Sequence, residues 1–387
     1  MPNLPLDGVR IISFEQYGAA PYATMFLADF GAEVIKVEGA RGDFARHSGP
    51  KTLGADDSLY YQTFNLNKKS MVLDLRKDGD KALFHDMVAD CDVVVNNLRG
   101  SLPAKLEIDF ANLKTANPAV ICGHISAYGR EGSRADWPGY DFLMQAEAGF
   151  MALTGEPDAN PVRIGLSMID YMTGMMMAFS IASALRGVAK TGEGCDIDVS
   201  LFDAALHQLA YQGSWYMNEG VVTPRQKRAA HPSNAPSQLY TSKGGWIYVC
   251  CMNDKFWQIL IDEIGREDLG SDERFATMAA RHENGDALTE ILDAVFAQRT
   301  SHEWMDKLGG KIPVAPVEDL PGALDNPFVA EADMIATLPH RSGRDIHVLR
   351  NPIRIDGERL PQRAAPALDE HGDEVRERVA ARTADAT

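Results

Sequence analysis

Val9-Arg10-Ile11-Ile12-Ser13-Phe14, then Pro21-Tyr22-Ala23-Thr24-Met25-Phe26-Leu27-Ala28-Asp29-Phe30, then Glu33-Val34-Ile35-Lys36-Val37 form the stretch that decides the fold. The first run is short and apolar and reads as a buried strand. Pro21 fits the first turn of a helix, and Gly31 supplies its stop. The third run is a second strand. Strand, helix and strand in this order make a βαβ unit, the crossover that parallel strands require.

The alternation continues outward. Strands are predicted over 71–75, 92–95 and 119–126, with helices over 78–89 and near 110–116. The expected class is α/β: a Rossmann-like large domain with a mostly parallel sheet, plus a smaller α+β domain. One long apolar helix is predicted over 170–188, broken by Gly192-Glu193-Gly194. A strand over 195–201 and a helix over 203–216 follow. Residues 217–237, with the basic run Arg225-Gln226-Lys227-Arg228, read as linker and loop. The second domain has expected strands near 238–241 and 246–251 and helices near 254–264, 287–298 and 302–308. From about Met334 the tail has a strand-like 347–349 and a Pro-rich, charged end.

Composition narrows the function. The chain has 387 residues, 45% hydrophobic and 24% charged, as in ordinary globular proteins. Its formal charge of −17 argues against nucleic acid as a partner. The cysteines at 91, 122, 195, 250 and 251 form no CxxC pair and read as reduced thiols of a cytoplasmic chain. The opening MPNLPLDGVR has no apolar signal core. The most apolar stretch, 175–185, falls short of the ~20 residues of a membrane span.

Several segments offer chemistry. Tyr17-Gly18-Ala19-Ala20-Pro21 joins a strand to a helix, either as a plain turn or as an anion site at the helix N-terminus. Lys36, Arg41, Arg46, Lys51, Lys68, Lys69, Arg76 and Lys77 reverse the sign of the chain locally, which suits either a polyphosphate ligand or a solvated face. Asp170, at the start of the long helix, reads as an N-cap or as a carboxylate nucleophile beside an apolar pocket. Met172, Met175, Met176 and Met177 fill a core or line an acyl site. Asp141 is a second cap or a second catalytic carboxylate. No metal-ligand spacing is present, and the scattered histidines suggest no catalytic base.

Taken in series, these segments resemble the family III CoA-transferases. The resemblance rests on PLDGVRIISFEQYGAAPYATMFLADFGAEVIKVE, GDFAR, NLNKKSMVLDL, VVVNNLRGSLPAKL and PGYDFLMQAEAGFMALTGEPD. It continues through RIGLSMIDYMTG, TGEGCDIDVSLFDAAL, HPSNAPSQLY, IPVAPVEDL and APALDEHGDEV. It implies that Asp170 is the nucleophile and Asp141 its support. It implies CoA contacts at Leu73, Asp74, Arg76, Asn97, Leu98, Lys105 and Tyr140. Arg41 would stand in for the arginine that Gly39 replaces. Gly18 and Ala19, and Ser233, Asn234 and Ala235 of a mobile loop over 231–236, would serve the oxyanion. Gly18, Gly39 and Pro138 depart from formyl-CoA transferase, and the 231–236 loop is not glycine-rich. These departures argue against formyl-CoA and oxalate as substrates, not against the transfer chemistry.

The implied reaction moves CoA from an acyl-CoA to a small free carboxylic acid through an aspartyl anhydride and an aspartyl-CoA thioester. It needs neither metal nor a permanently bound cofactor. An α-methylacyl-CoA racemase is the rival, but Tyr140 stands where related racemases have His. A non-catalytic CoA-binding protein is the third reading, and the intact Asp170 argues against it. The resemblance also implies an interlocked homodimer. The large domain would be 1–200 completed by 330–387, with a linker helix and loop over 201–225 and a small domain over 226–329.

Overall fold

The computed structural model describes residues 4–49, 52–54 and 56–385. Lys51 of the basic span and the first three residues of the N-terminal stretch lie outside them. The described chain divides into two compact units, one of residues 1–148, 164–210 and 328–387 and the other of 149–163 and 211–327. The 201–225 segment is thus shared between them, and 149–163 belongs with the second.

The first unit is built on a six-stranded sheet: β1 (Arg10–Phe14), β2 (Glu33–Glu38), β3 (Lys69–Val72), β4 (Val93–Asn96), β5 (Ile121–Ser126) and β6 (Cys195–Ser200). Its spatial order is β3-β2-β1-β4-β5-β6, with every pairing parallel. This is a doubly wound order, and the chain reverses direction between β1 and β4. Ile11, Val93 and Ile121 stand side by side on neighbouring strands, all fully buried. Such continuous apolar strands need cover on both faces.

Helix α1 (Ala19–Asp29) starts two residues before Pro21, and Gly31 follows it at φ 104 as expected. The long helix α2 (Met168–Thr191) ends on Gly192 in the left-handed conformation. It is 24 residues long, with a mean hydropathy of 1.3 over its most apolar window. It therefore meets the length and apolarity of a membrane span, contrary to the sequence expectation. Polar residues at its ends hid its length, because an α-helix tolerates them on its open face. Its inner side packs within the unit through Thr173, Gly174, Met177 and Ile181.

Two further differences have local causes. The single helix expected over 203–216 is two, Leu201–His207 and Ala210–Glu219, because Ala210 takes φ 47. The charged tail ends in a helix, Gly372–Asp385. Among its described side chains Val375 and Val379, one turn apart, join the core cluster with Phe84 and Val88; so narrow a stripe leaves little periodicity to read.

The second unit holds an antiparallel three-stranded sheet made of Ser237–Ser242, Gly245–Cys250 and Val314–Pro316, with Gly245–Cys250 in the middle. Helices Asp254–Ile264, Gly285–Phe296 and Ser301–Leu308 bury Trp257, Leu292, Phe296 and Trp304 in its core. This matches the α+β character expected of it.

Gly174 sets the approach of α2 to α1. A Cβ there would stand 2.6 Å from the Ala19 carbonyl oxygen and 3.3 Å from the Ala23 nitrogen, both backbone atoms that cannot step aside. Gly174→Ala should therefore destabilise the protein by about 1–3 kcal/mol in urea unfolding, despite the better helix propensity of alanine. An unchanged midpoint would mean that the two helices do not need this contact.

Candidate active site

Parallel sheets of this kind bind ligands beyond the carboxyl ends of their strands, where the strand order reverses. That point lies between β1 and β4. A cleft of about 440 Å³ opens there, lined by Gln16, Tyr17, Gly18 and Ala19 after β1, Asn97, Leu98 and Arg99 after β4, and Ile125 to Ala127 at the end of β5. Trp137 to Tyr140, Asp170, Phe44, Leu102 and Leu201 complete the wall.

The cleft floor is specified by bonds to the main chain. Asn97 Oδ1 accepts from Gln16 N at 3.0 Å, and its Nδ2 donates to Gln16 O at 2.7 Å. Tyr17, at φ 60, donates its N–H to Asp43 Oδ1 at 3.3 Å. Gly18 follows as the N-cap of α1. Ala19 and Ala20 are the first helical residues, so their N–H groups have no intrahelical acceptor and face the ligand end of the helix. A side chain at Gly18 would put its Cβ 2.5 Å from Asp170 Oδ2. The small residue is thus what lets the carboxylate reach the helix start.

Asp170 occupies the third position of α2 rather than its N-cap, which is Ser167. Asp141 likewise begins its own helix (Asp141–Glu147) after the N-cap Tyr140. Its carboxylate caps the other helix instead. Asp141 Oδ2 accepts from Ile169 N at 2.6 Å and Asp170 N at 3.1 Å, while Gln145 Nε2 donates to Oδ1 at 2.6 Å. Asp141 is buried and Asp170 half-buried. Burial, followed by the Asp141 charge, pushes the Asp170 carboxyl up to about 7. Tyr60 was not singled out from sequence. Burial and then the Asp170 charge push its phenol to about 12. Tyr17 stacks on Phe44 with ring centres 6.2 Å apart and meets Tyr60 edge-on at 6.4 Å.

A second cleft adjoins the first, sharing Gln16 and Phe44 with it. It is lined by Arg41, Leu73, Asp74, Arg76 and Lys77. Here the basic span needs correcting as one surface. Lys36, Arg46 and Lys68 are buried and held by carboxylates: Lys36 to Asp43 at 2.8 Å, Arg46 to Glu38 at 2.6 Å and Lys68 to Glu15 at 2.7 Å. A buried cation needs such partners and cannot also meet a ligand phosphate. Lys69 pairs with Glu33 and Glu374. Arg41, Arg76 and Lys77 remain exposed, with Arg76 fork-bonded to Asp74 at 2.8 and 2.9 Å.

The structure thus gathers Gly18, Ala19, Asn97, Leu98, Tyr140 and Asp170 around one cleft, and Arg41, Leu73, Asp74 and Arg76 around its neighbour. Lys105 ends the short helix Leu102–Lys105, lines neither cleft and donates to Ser101 Oγ at 2.8 Å. Ser233, Asn234 and Ala235 lie in the second unit. There Arg281 Nε donates to Ala235 O at 2.9 Å, and Ser233 N donates to His231 Nδ1 at 3.2 Å. Phe44 and Trp137 line the cleft beside Tyr17, and Tyr60 packs edge-on against Tyr17; Phe44, Tyr60 and Trp137 carried no polar motif, so this aromatic side was legible only once folded.

The pH behaviour of Asp170 follows from its setting. Folding raises its affinity for a proton, so its ionisation costs stability as pH rises through about 7. Infrared difference spectra against Asp170→Asn should show its protonated carboxyl band vanishing near pH 7. Asp141→Asn removes the like charge and should move that midpoint to lower pH. A midpoint near 4 in the unaltered protein would contradict this electrostatic account.

Comparison with known proteins shows the family. The chain is 34% identical to an acetyl-CoA:oxalate CoA-transferase of Acetobacter aceti over 385 residues, 98% of this chain and 97% of that one. It is 31% identical to a succinate–glutarate CoA-transferase of Agrobacterium fabrum, covering 97% of this chain and 96% of that one. A CAIB/BAIF family protein of Brucella suis superposes with a TM-score of 0.86 at 34% identity, covering 97% of this chain and all of that structure. The CoA-transferase family III description matches residues 6–372, and the protein belongs to that family of enzymes, which use CoA thioesters as substrates.

Proposed function

We propose that Asp170 is the nucleophile that carries CoA between a donor thioester and a free carboxylic acid. One observation carries this reading: a half-buried carboxylate with a raised proton affinity stands against the N-terminus of α1, at the point where the strand order reverses. A carboxylate stripped of water is the better nucleophile. Its ionised oxygen attacks the thioester carbonyl and expels CoA thiolate, giving a mixed anhydride. The thiolate then attacks the Asp170 carbonyl and releases the donor acid, leaving an aspartyl-CoA thioester. The acceptor carboxylate repeats the two steps in reverse order. The Ala19 and Ala20 N–H groups are suited to stabilise the charge that develops on the carbonyl oxygen. Asp141 holds the backbone of Asp170 in place and raises its proton affinity.

The neighbouring cleft suits the phosphates of CoA through Arg41, Arg76 and Lys77, with Leu73 supplying apolar contact. Leu98 and Asn97 then flank the thioester arm. Exposed apolar side chains on α2, with Phe179 74% exposed, support assembly as a homodimer. The five unpaired cysteines suit a cytoplasmic setting.

Asp170→Asn should lose several orders of magnitude of CoA transfer while still binding CoA esters. Acyl-CoA alone should leave a CoA adduct on the peptide that contains Asp170. Near-normal turnover by Asp170→Asn would refute the mechanism. Turnover of the unaltered enzyme should rise with pH as Asp170 ionises near 7.

Arg76→Ala should raise KM for CoA esters more than it lowers kcat, because a phosphate contact serves ground and transition states alike. An unchanged KM would place Arg76 on a merely solvated face.

A further inference from the structure

Three polar side chains run in a row across the sheet beneath the cleft. Asn96 ends β4, His124 lies on β5 and Asp196 on β6. Asn96 and His124 are cross-strand partners, and both are essentially inaccessible to water. His124 Nε2 is 2.8 Å from Asp196 Oδ1, and His124 Nδ1 is 2.8 Å from Asn96 Nδ2. The backbone N–H of Leu98 donates to Asn96 Oδ1 at 3.3 Å.

These bonds fix one another's direction. A backbone N–H can only donate, so Asn96 turns its oxygen to Leu98 and its NH₂ to His124. Nδ1 of His124 must then accept, which leaves the proton of a neutral imidazole on Nε2, donated to Asp196. Asp196 is anchored in turn. Phe110 N donates to its Oδ1 at 3.0 Å, and Arg130 Nη2 is 3.2 Å from its Oδ2. Arg130 also binds Asp198. Buried as they are, neither Asn96 nor His124 can exchange its partner for water without a penalty, whereas Asp196 keeps part of its side chain in solvent. At the other end, Asn97 is locked to Gln16 by its own two bonds. The row therefore reaches the cleft at one end, through Leu98, beside the Asn97 clamp.

We propose that His124 is a positioning residue: with Asp196 and Asn96 it holds Leu98 and Asn97 against the Gln16 loop and so sets the affinity of the cleft for the acyl-CoA thioester. This rests on the reading of that cleft as the CoA-ester subsite. The row does not touch Asp170, so it acts on binding rather than on the bond-making steps.

Steady-state kinetics on the full-length enzyme separate the possibilities. His124→Ala and Asn96→Ala should each raise KM for acyl-CoA roughly tenfold, the size expected for orphaning a buried polar partner, with kcat little changed. The double variant should be little worse than either single one, since both break the same row. Asn96→Asp keeps the shape but cannot donate. Its carboxylate accepts from Leu98 N and requires a second proton on His124. The charged groups around that imidazole are Asp196, with Arg130 and Asp198 behind it. The KM ratio of Asn96→Asp to the unaltered enzyme should therefore fall as pH is lowered. Even if the alanine variants misfold, this ratio is measurable, and a pH-independent ratio would overturn the proposal, as would additive single effects or a loss confined to kcat. If the unaltered enzyme moved no CoA between acids, the reading of the cleft itself would fail, a result distinct from any of these.

Discussion

Lys36 is a lysine with no access to water, and the architecture around the cleft depends on how its charge is met. Its ammonium donates to Asp43 at 2.8 Å and to the Glu15 carbonyl at 3.1 Å. Glu15 also accepts from Lys68 and Thr24, and Glu38 binds Arg46 through both of its oxygens. These residues come from the end of β1, from β2, from α1, from the turn after β2 and from the approach to β3. Removing one partner from such a buried set leaves an uncompensated charge, at a cost of about 3–5 kcal/mol. The elements are therefore obliged to keep their mutual positions. Because an apolar replacement of a whole set is often neutral, the consequence of this network is geometric more than energetic. It is Asp43, fixed by Lys36, that receives the Tyr17 N–H and holds the left-handed residue leading into Gly18.

The second constraint is the close pairing of two carboxylates. Asp141 satisfies N–H groups that α2 leaves open at its start, and its carboxylate lies close to Asp170. That charge then works against ionisation of Asp170. Stability and reactivity are thus drawn from the same side chain. The carboxylate that caps the helix start raises the proton affinity of the one that follows it on the helix.

The parallel sheet was legible in the sequence because buried parallel strands are near-continuous apolar runs, and Val9 to Phe14, Glu33 to Val37 and 119–126 each show one. Asp170 and Asp141 were found as residues at helix starts. Their caps were misassigned, since the acceptor role of Asp141 crosses from one helix to another and no local spacing encodes it. The basic span was misread for a related reason. Sequence shows the sign of Lys36, Arg46 and Lys68 but not that each side chain turns inward to a carboxylate. The aromatic wall of Tyr17, Phe44 and Trp137 comes from three separate segments, so its assembly is a property of the fold alone.

The charge of the whole chain sets a final condition on substrate binding. A net −17 repels a polyanionic CoA ester at long range, though beyond ~8 Å physiological salt screens that field. Asp74 and Asp80 sit in the same cleft as Arg41, Arg76 and Lys77, so even the local surplus of positive charge is small. Attraction from a distance therefore contributes little. On the proposed reading, what remains is contact: the exposed Arg41 and Lys77, the open N–H groups of α1 and apolar cover from Leu73 and Leu98. Contacts of that kind demand a floor that does not yield, and rigid loops at the crevice supply it. The buried ion pairs, the Asn97 clamp on Gln16 and the proposed row through His124 would then be parts of one solution, in which an acidic protein holds an acidic ligand by geometry instead of by field.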